Sequence, residues 1–198
     1  MLKTNMKAVL ALLLACAAAG PAAAGGKAAM KMEKFVCDGD FFTAMVPKGW
    51  EKHEGISSGR QAREFGVDLK GPKSKDGVYA RISLTYFGAD HARYKTMEKY
   101  MRINSKADPD FPVAGEEYGP VSVMLVANRR AQVFELKTFT FVPPHAVKPL
   151  KVTVFERHIV VPSLKGGFYV LTYHAPADIA KANLPAFEAV VAGFKPAK

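Results

Sequence analysis

The segment Val78 to Phe87 constrains the fold more than any other. Val78, Ala80, Ile82, Leu84 and Tyr86 alternate with Tyr79, Arg81, Ser83 and Thr85, a period of two that a β-strand turns into one apolar and one more polar face. The chain must therefore build a sheet with one face buried. Similar runs surround it. Phe35 to Asp38 and Phe41 to Val46, separated by Gly39-Asp40 and stopped by Pro47-Lys48-Gly49, predict a hairpin closed by Trp50. A third strand is expected over Gln61 to Leu69, followed by a loop from Gly71 to Gly77. Further on, Val121 to Ala127, Ala131 to Val142, Val152 to Val161 and Phe168 to His174 read as strands, the first two joined by a tight turn at Asn128-Arg129. Their connections are too short for crossover helices and predict a meander.

Three segments break this pattern. Asp90 is expected to cap a helix reaching Asn104, with Tyr94, Met97 and Met101 on one stripe. Ala107 to Gly119 carries Pro109, Pro112 and Gly115 and predicts a long loop. Ala175 to Ala192 reads as a closing helix or a broken pair, with Pro185 suited to a first turn and Leu184, Phe187, Val191 and Phe194 on one side. Strands, a helix, more strands and a last helix give an α+β class, an antiparallel sheet flanked by helices.

The opening segment addresses export. Lys3 and Lys7 precede an apolar run from Ala8 to Ala19, and Gly20-Pro21 leads to Ala22-Ala23-Ala24, which suits signal peptidase. Residues 1–24 are expected to be a cleaved signal, 25–31 a flexible lead-in and 32–198 a single α+β domain. In a second reading of the same residues, Leu13-Leu14-Ala15-Cys16 is a lipobox and Cys16 becomes a lipidated first residue. In either case the run is shorter than the ~20 residues of a membrane span. The expected address is the periplasm, with a lipid on Cys16 as the anchored alternative.

The formal charge of +10 would point to nucleic acid inside a cell. Outside it the available anions are lipid head groups and envelope polymers, so no nucleic-acid partner is expected. The basic residues are scattered, which also fits a plain solvated surface. Arg129-Arg130, at a predicted hairpin tip, is the candidate contact for an acidic partner, against the alternative of an ordinary charged turn.

Catalytic and metal chemistry find little support. With Cys16 in the signal, Cys37 is alone, which excludes a disulfide scaffold; it is expected to be a small buried hydrophobe in the first strand, against the alternative of a nucleophile, a redox thiol or a dimer-forming cysteine. His53, His91, His145, His158 and His174 form no zinc spacing, although His158 and His174 lie on adjacent predicted strands. Asp108, Asp110, Glu116 and Glu117 share a loop without a calcium-loop pattern. No Gly-x-Ser-x-Gly elbow, phosphate loop or dinucleotide fingerprint occurs. No cofactor is expected, and the chain reads as a non-enzyme.

The order of elements, with Met45-Val46-Pro47-Lys48-Gly49-Trp50 near the start and Phe168-Tyr169-Val170-Leu171-Thr172-Tyr173 leading into Phe187 to Lys195 at the end, resembles the PsbP-like superfamily, whose bacterial DcrB-like members are exported proteins or lipoproteins. The resemblance implies an αβα sandwich used as a binding or assembly module, with no known catalytic centre. Both motifs are structural, so no ligand residue is carried over. The expected function is a non-catalytic envelope protein that binds a protein or an anionic membrane-surface component. The alternative is a small-ligand or metal carrier with a pocket between sheet and helix.

Overall fold

The computed structural model describes residues 30–145 and 147–197. The expected signal and Cys16 lie outside the described residues. Two antiparallel sheets form. β1 (Met32–Val36) and β2 (Phe42–Pro47) make the expected hairpin, joined through a short 3-10 turn. The last strand, β11 (Lys195–Pro196), adds to β2, so the two ends of the described chain build one small sheet.

The large sheet contains β3 (Glu51–His53), β4 (Glu64–Lys73), β5 (Tyr79–Phe87), β6 (Glu117–Tyr118), β7 (Ser122–Val126), β8 (Arg129–Val142), β9 (Leu150–Pro162) and β10 (Phe168–Pro176). Its order is β3-β4-β5-β10-β9-β8, with β6 and β7 both paired to the far side of β8. The predicted meander β7-β8-β9-β10 is present, and β10 then inserts beside β5. Ala80, Ile82, Leu84 and Tyr86 are buried as the alternation requires.

Helices cover both faces, giving an α+β sandwich. On one face the small sheet and α3 (Ala177–Gly193) bury Phe42, Val46, Phe187, Val190 and Phe194 against Val67, Leu69, Ile82, Leu84, Tyr169, Leu171 and Tyr173. On the other, α2 (Met97–Asn104) sets Tyr100 and Met101 over Phe87, Phe134, Val160, Phe168 and Val170. Trp50 packs on the main core with its ring against Gly71, where a Cβ would lie 2.5 Å away.

Five expectations are corrected. The strand predicted from Gln61 starts at Glu64, because residues Ile56–Ala62 form a short helix, α1, closed by Arg63 in a left-handed conformation (φ 60°). The same strand continues through the predicted loop to Lys73, with a register shift that accommodates Pro72. Asp90 does not cap the second helix. The backbone N–H of Tyr94 donates to His91 Nδ1 (2.9 Å), closing a non-helical turn, and Thr96 caps instead by accepting from the Lys99 N–H (3.2 Å). The β7–β8 turn is Ala127-Asn128, both at positive φ (47° and 63°), as a tight hairpin of that twist demands. Pro185 lies inside one continuous helix, not in its first turn, and it is exposed there.

Candidate functional site

Strand register decides which of the candidate side chains meet. Thr172 pairs with His158, and His174 with Glu156, so a carboxylate from β9 stands between two imidazoles. His158 Nε2 donates to Glu156 Oε2 and His174 Nδ1 to Oε1, each at 3.0 Å. With Nε2 carrying the proton, His158 Nδ1 is an acceptor, and the hydroxyls of Tyr100 (3.1 Å) and Thr172 (3.3 Å) donate to it. Phe134 stacks flat on the His158 ring, with centroids 4.5 Å apart.

The electrostatics follow from this enclosure. Burial alone raises the Glu156 carboxyl, but the hydrogen bonds from His158 and His174 outweigh it and hold the group at about 2. Burial, with the charges of Tyr94 and Glu156 added, raises the Tyr100 hydroxyl. The network clamps β9, β10 and α2 together. The two histidines do meet, through Glu156 and not directly. No cluster of three His, Cys, Asp or Glu side chains able to hold a metal ion occurs among the described residues.

A second polar region lies toward the opposite sheet edge. A cleft of about 480 Å³ is bordered by His53, Glu64, Asp68, Ser83 and Thr85. The Ser83 hydroxyl donates to Asp68, and Asp68 pairs in register with His53 on β3. No imidazole is hydrogen-bonded to that serine among the described residues, so the pairing that activates a serine nucleophile is not formed.

The remaining sequence candidates are engaged structurally. Asp108 accepts from the Asp110 N–H, Glu116 from Tyr118 and Thr138, and Glu117 from Lys137. Cys37 is only 2% exposed, and burial, followed by the charges of Asp38, Glu54 and Asp40, pushes its thiol up to about 12. In a Cys16→Ser chain at pH 8, Cys37 is therefore expected to resist a thiol-specific disulfide reagent until denaturant is added. Rapid modification in native buffer would contradict the buried position.

Arg129 and Arg130 diverge. The Arg129 guanidinium donates to the carbonyls of Pro162 and Ala197, each at 3.0 Å, and lies over the Tyr169 ring, pinning β8 to the chain end. Arg130 is exposed and pairs in register with Leu125, so the two share a face.

That face belongs to β7. Its outer edge pairs with no other strand among the described residues. Val121, at its entry, is 49% exposed, and Val123 and Leu125 are 57% and 67% exposed, while Met124 and Val126 pack inward. The sequence Val121-Ser-Val-Met-Leu-Val126 is apolar on both sides, a pattern suited to a strand covered on both faces. Among the described residues one face and one edge remain uncovered. Sequence reasoning singled out the arginine pair and missed the stripe beside it, although the two-sided apolar run was the available signal.

No protein-family model matches the chain, and none of the curated proteins matches it. Among solved structures it is similar to the Saccharomyces cerevisiae Ran-binding protein Mog1p, with a TM-score of 0.46 and 13% identity over 84% of this chain and 96% of that one. It is also similar to LpqN, involved in cell envelope biogenesis of Mycobacterium tuberculosis, with a TM-score of 0.45 and 14% identity over 86% and 92%. Identities this low carry no residue role onto this chain. No described helix is long and apolar enough to cross a membrane.

Proposed function

We propose that the protein is a non-catalytic, exported cell-envelope module of the PsbP-like type that docks a protein partner along the free edge of β7. The observation that carries this reading is the unpaired edge beside Val121, Val123 and Leu125, with Arg130 on the same face. An extended partner segment would add as a strand, its backbone meeting the open N–H and C=O groups and its alternate apolar side chains the valines and leucine. An acidic residue in that segment would reach Arg130, which fits a chain of net charge +10. Export rests on residues 1–24, and lipidation of Cys16 remains the anchored form of the same reading.

The test places a photocrosslinking amino acid at position 125 and, as a control, at exposed position 188 of the full chain in its native host. One stoichiometric adduct from 125 alone, lost in Val123→Lys/Leu125→Lys with an unchanged melting temperature, is the expected result. Equal labelling from both positions would discard the edge as the site. Fractionation of the same cells checks the address: a chain trimmed of residues 1–24, or anchored through Cys16, is expected in the envelope, and the intact chain in the cytosol would refute export.

A second reading, a small-ligand carrier, is favoured by one observation. An apolar groove runs between α3 and the β8–β9 pair.

A further inference from the structure

The groove beneath the first half of α3 has about 370 Å³ of free volume. Its walls are Val154 and Phe155 from β9 and Ala180 and Leu184 from α3, and its rim carries Lys137 and Lys181. It exists because α3 presents alanines where larger side chains would meet the strand, so the helix is held close without filling the space. Tyr173 fixes both walls. Its hydroxyl donates to the Ala180 carbonyl (2.7 Å), its ring stacks on Phe187 (5.6 Å), and its edge meets Phe155 (6.3 Å). The opening is therefore preformed.

The chemistry of the lining narrows the ligand. Among the described residues Thr153 supplies the one side-chain hydroxyl of the lining, and no carboxylate lines the groove. A sugar or nucleotide would lose its hydrogen bonds to water there without replacement. At the rim, Lys137 is paired with Glu117 (2.8 Å), whereas Lys181 has no ion-pair partner among the described residues. The volume sits near the lower end of the ~300–1,000 Å³ of small-molecule sites, room for one chain and not for a two-chain lipid.

We propose that this groove binds a single-chain anionic amphiphile of the fatty-acid class, with its chain between Phe155 and Leu184 and its carboxylate at Lys181. The proposal rests on the carrier reading and is independent of the β7 edge. Its probe is 11-(dansylamino)undecanoic acid, titrated into the purified protein and followed by dansyl fluorescence, with dodecanoate and dodecanol as competitors. Saturable binding at one site is expected, displaced by dodecanoate at least tenfold more effectively than by dodecanol.

Two variants locate it. Ala177→Trp, at an exposed position on the groove mouth, should lower probe affinity at least tenfold with an unchanged melt. Lys181→Glu, also exposed, should weaken dodecanoate at least tenfold and leave dodecanol unaffected. Non-saturable uptake, equal competition by acid and alcohol, or native affinity in both variants would overturn the proposal. None of these outcomes touches the crosslinking result at position 125, so the two sites stand or fall separately.

Discussion

Gly66→Ala is expected to lower the melting temperature by roughly 6–12 °C, a loss of about 3 kcal/mol in a domain of this size. Gly66 is the third residue of β4, opposite Thr85 of β5, and a Cβ there would lie 2.0 Å from the Leu84 carbonyl oxygen. The obstacle is backbone, so no rotamer change relieves it, and β4 must separate from β5 along a pairing that runs from Glu64 to Lys70. Gly49→Ala is the control. Gly49 has φ 91° with nothing within 4 Å of the added atom, so only the left-handed conformation is penalised, by about 1–2 kcal/mol. Thermal unfolding of both variants checks the comparison. An alanine at 66 that costs no more than one at 49 would mean that β4 and β5 do not approach this closely.

The second large effect is acid-dependent. Glu156 titrates at about 2 in the folded chain, against an ordinary 4.5. A carboxyl lowered by folding contributes stability that is complete above pH 4.5 and disappears as the pH falls toward 2. Urea unfolding midpoints should therefore fall steeply across that window, by an amount on the order of 3 kcal/mol from this group. Glu156→Gln should cost about 3 kcal/mol at pH 6, where it leaves His158 and His174 facing a neutral amide. The gap between variant and parent should narrow as the pH approaches 2. A gap that stays constant from pH 6 to pH 2.5 would show that the carboxylate charge is not what the histidines hold.

The strands were legible because alternation is local. The run from Val78 to Phe87 shows its period within a few residues, and Ala131 to Val142, Val152 to Val161 and Phe168 to His174 stand out as apolar runs bounded by turn residues. The short helix α1 and the late start of α2 were not legible. Their boundaries are marked by local bonds, the Arg63 N–H donating to the Gly59 carbonyl at the end of α1 and the Tyr94 N–H donating to His91 Nδ1 ahead of α2. A propensity pattern sums over many residues and does not register one competing acceptor.

The candidate surfaces were legible in part. Arg130 was visible as a charged turn residue, but the side chains around it depend on which strands pair with β7 and which do not. His158 and His174 were visible as neighbours on adjacent strands. That Glu156 would bridge them required the β9–β10 register, since a slip of one residue sends that carboxylate to the opposite face.

The sequence by itself determined the strand-rich α+β class, the inward and outward faces of the Val78 to Phe87 strand and the β7-to-β10 meander. Only the tertiary structure decided that β10 lies beside β5, that β11 completes a second sheet with β2, and that β7 has an edge unpaired among the described residues. Neighbours along the chain are selected by short-range periodicity and tight turns. Partners such as Tyr86 and Gly166, whose hydrogen bond spans 80 residues, are selected by whichever arrangement buries the most apolar surface at once, and no local window contains that comparison.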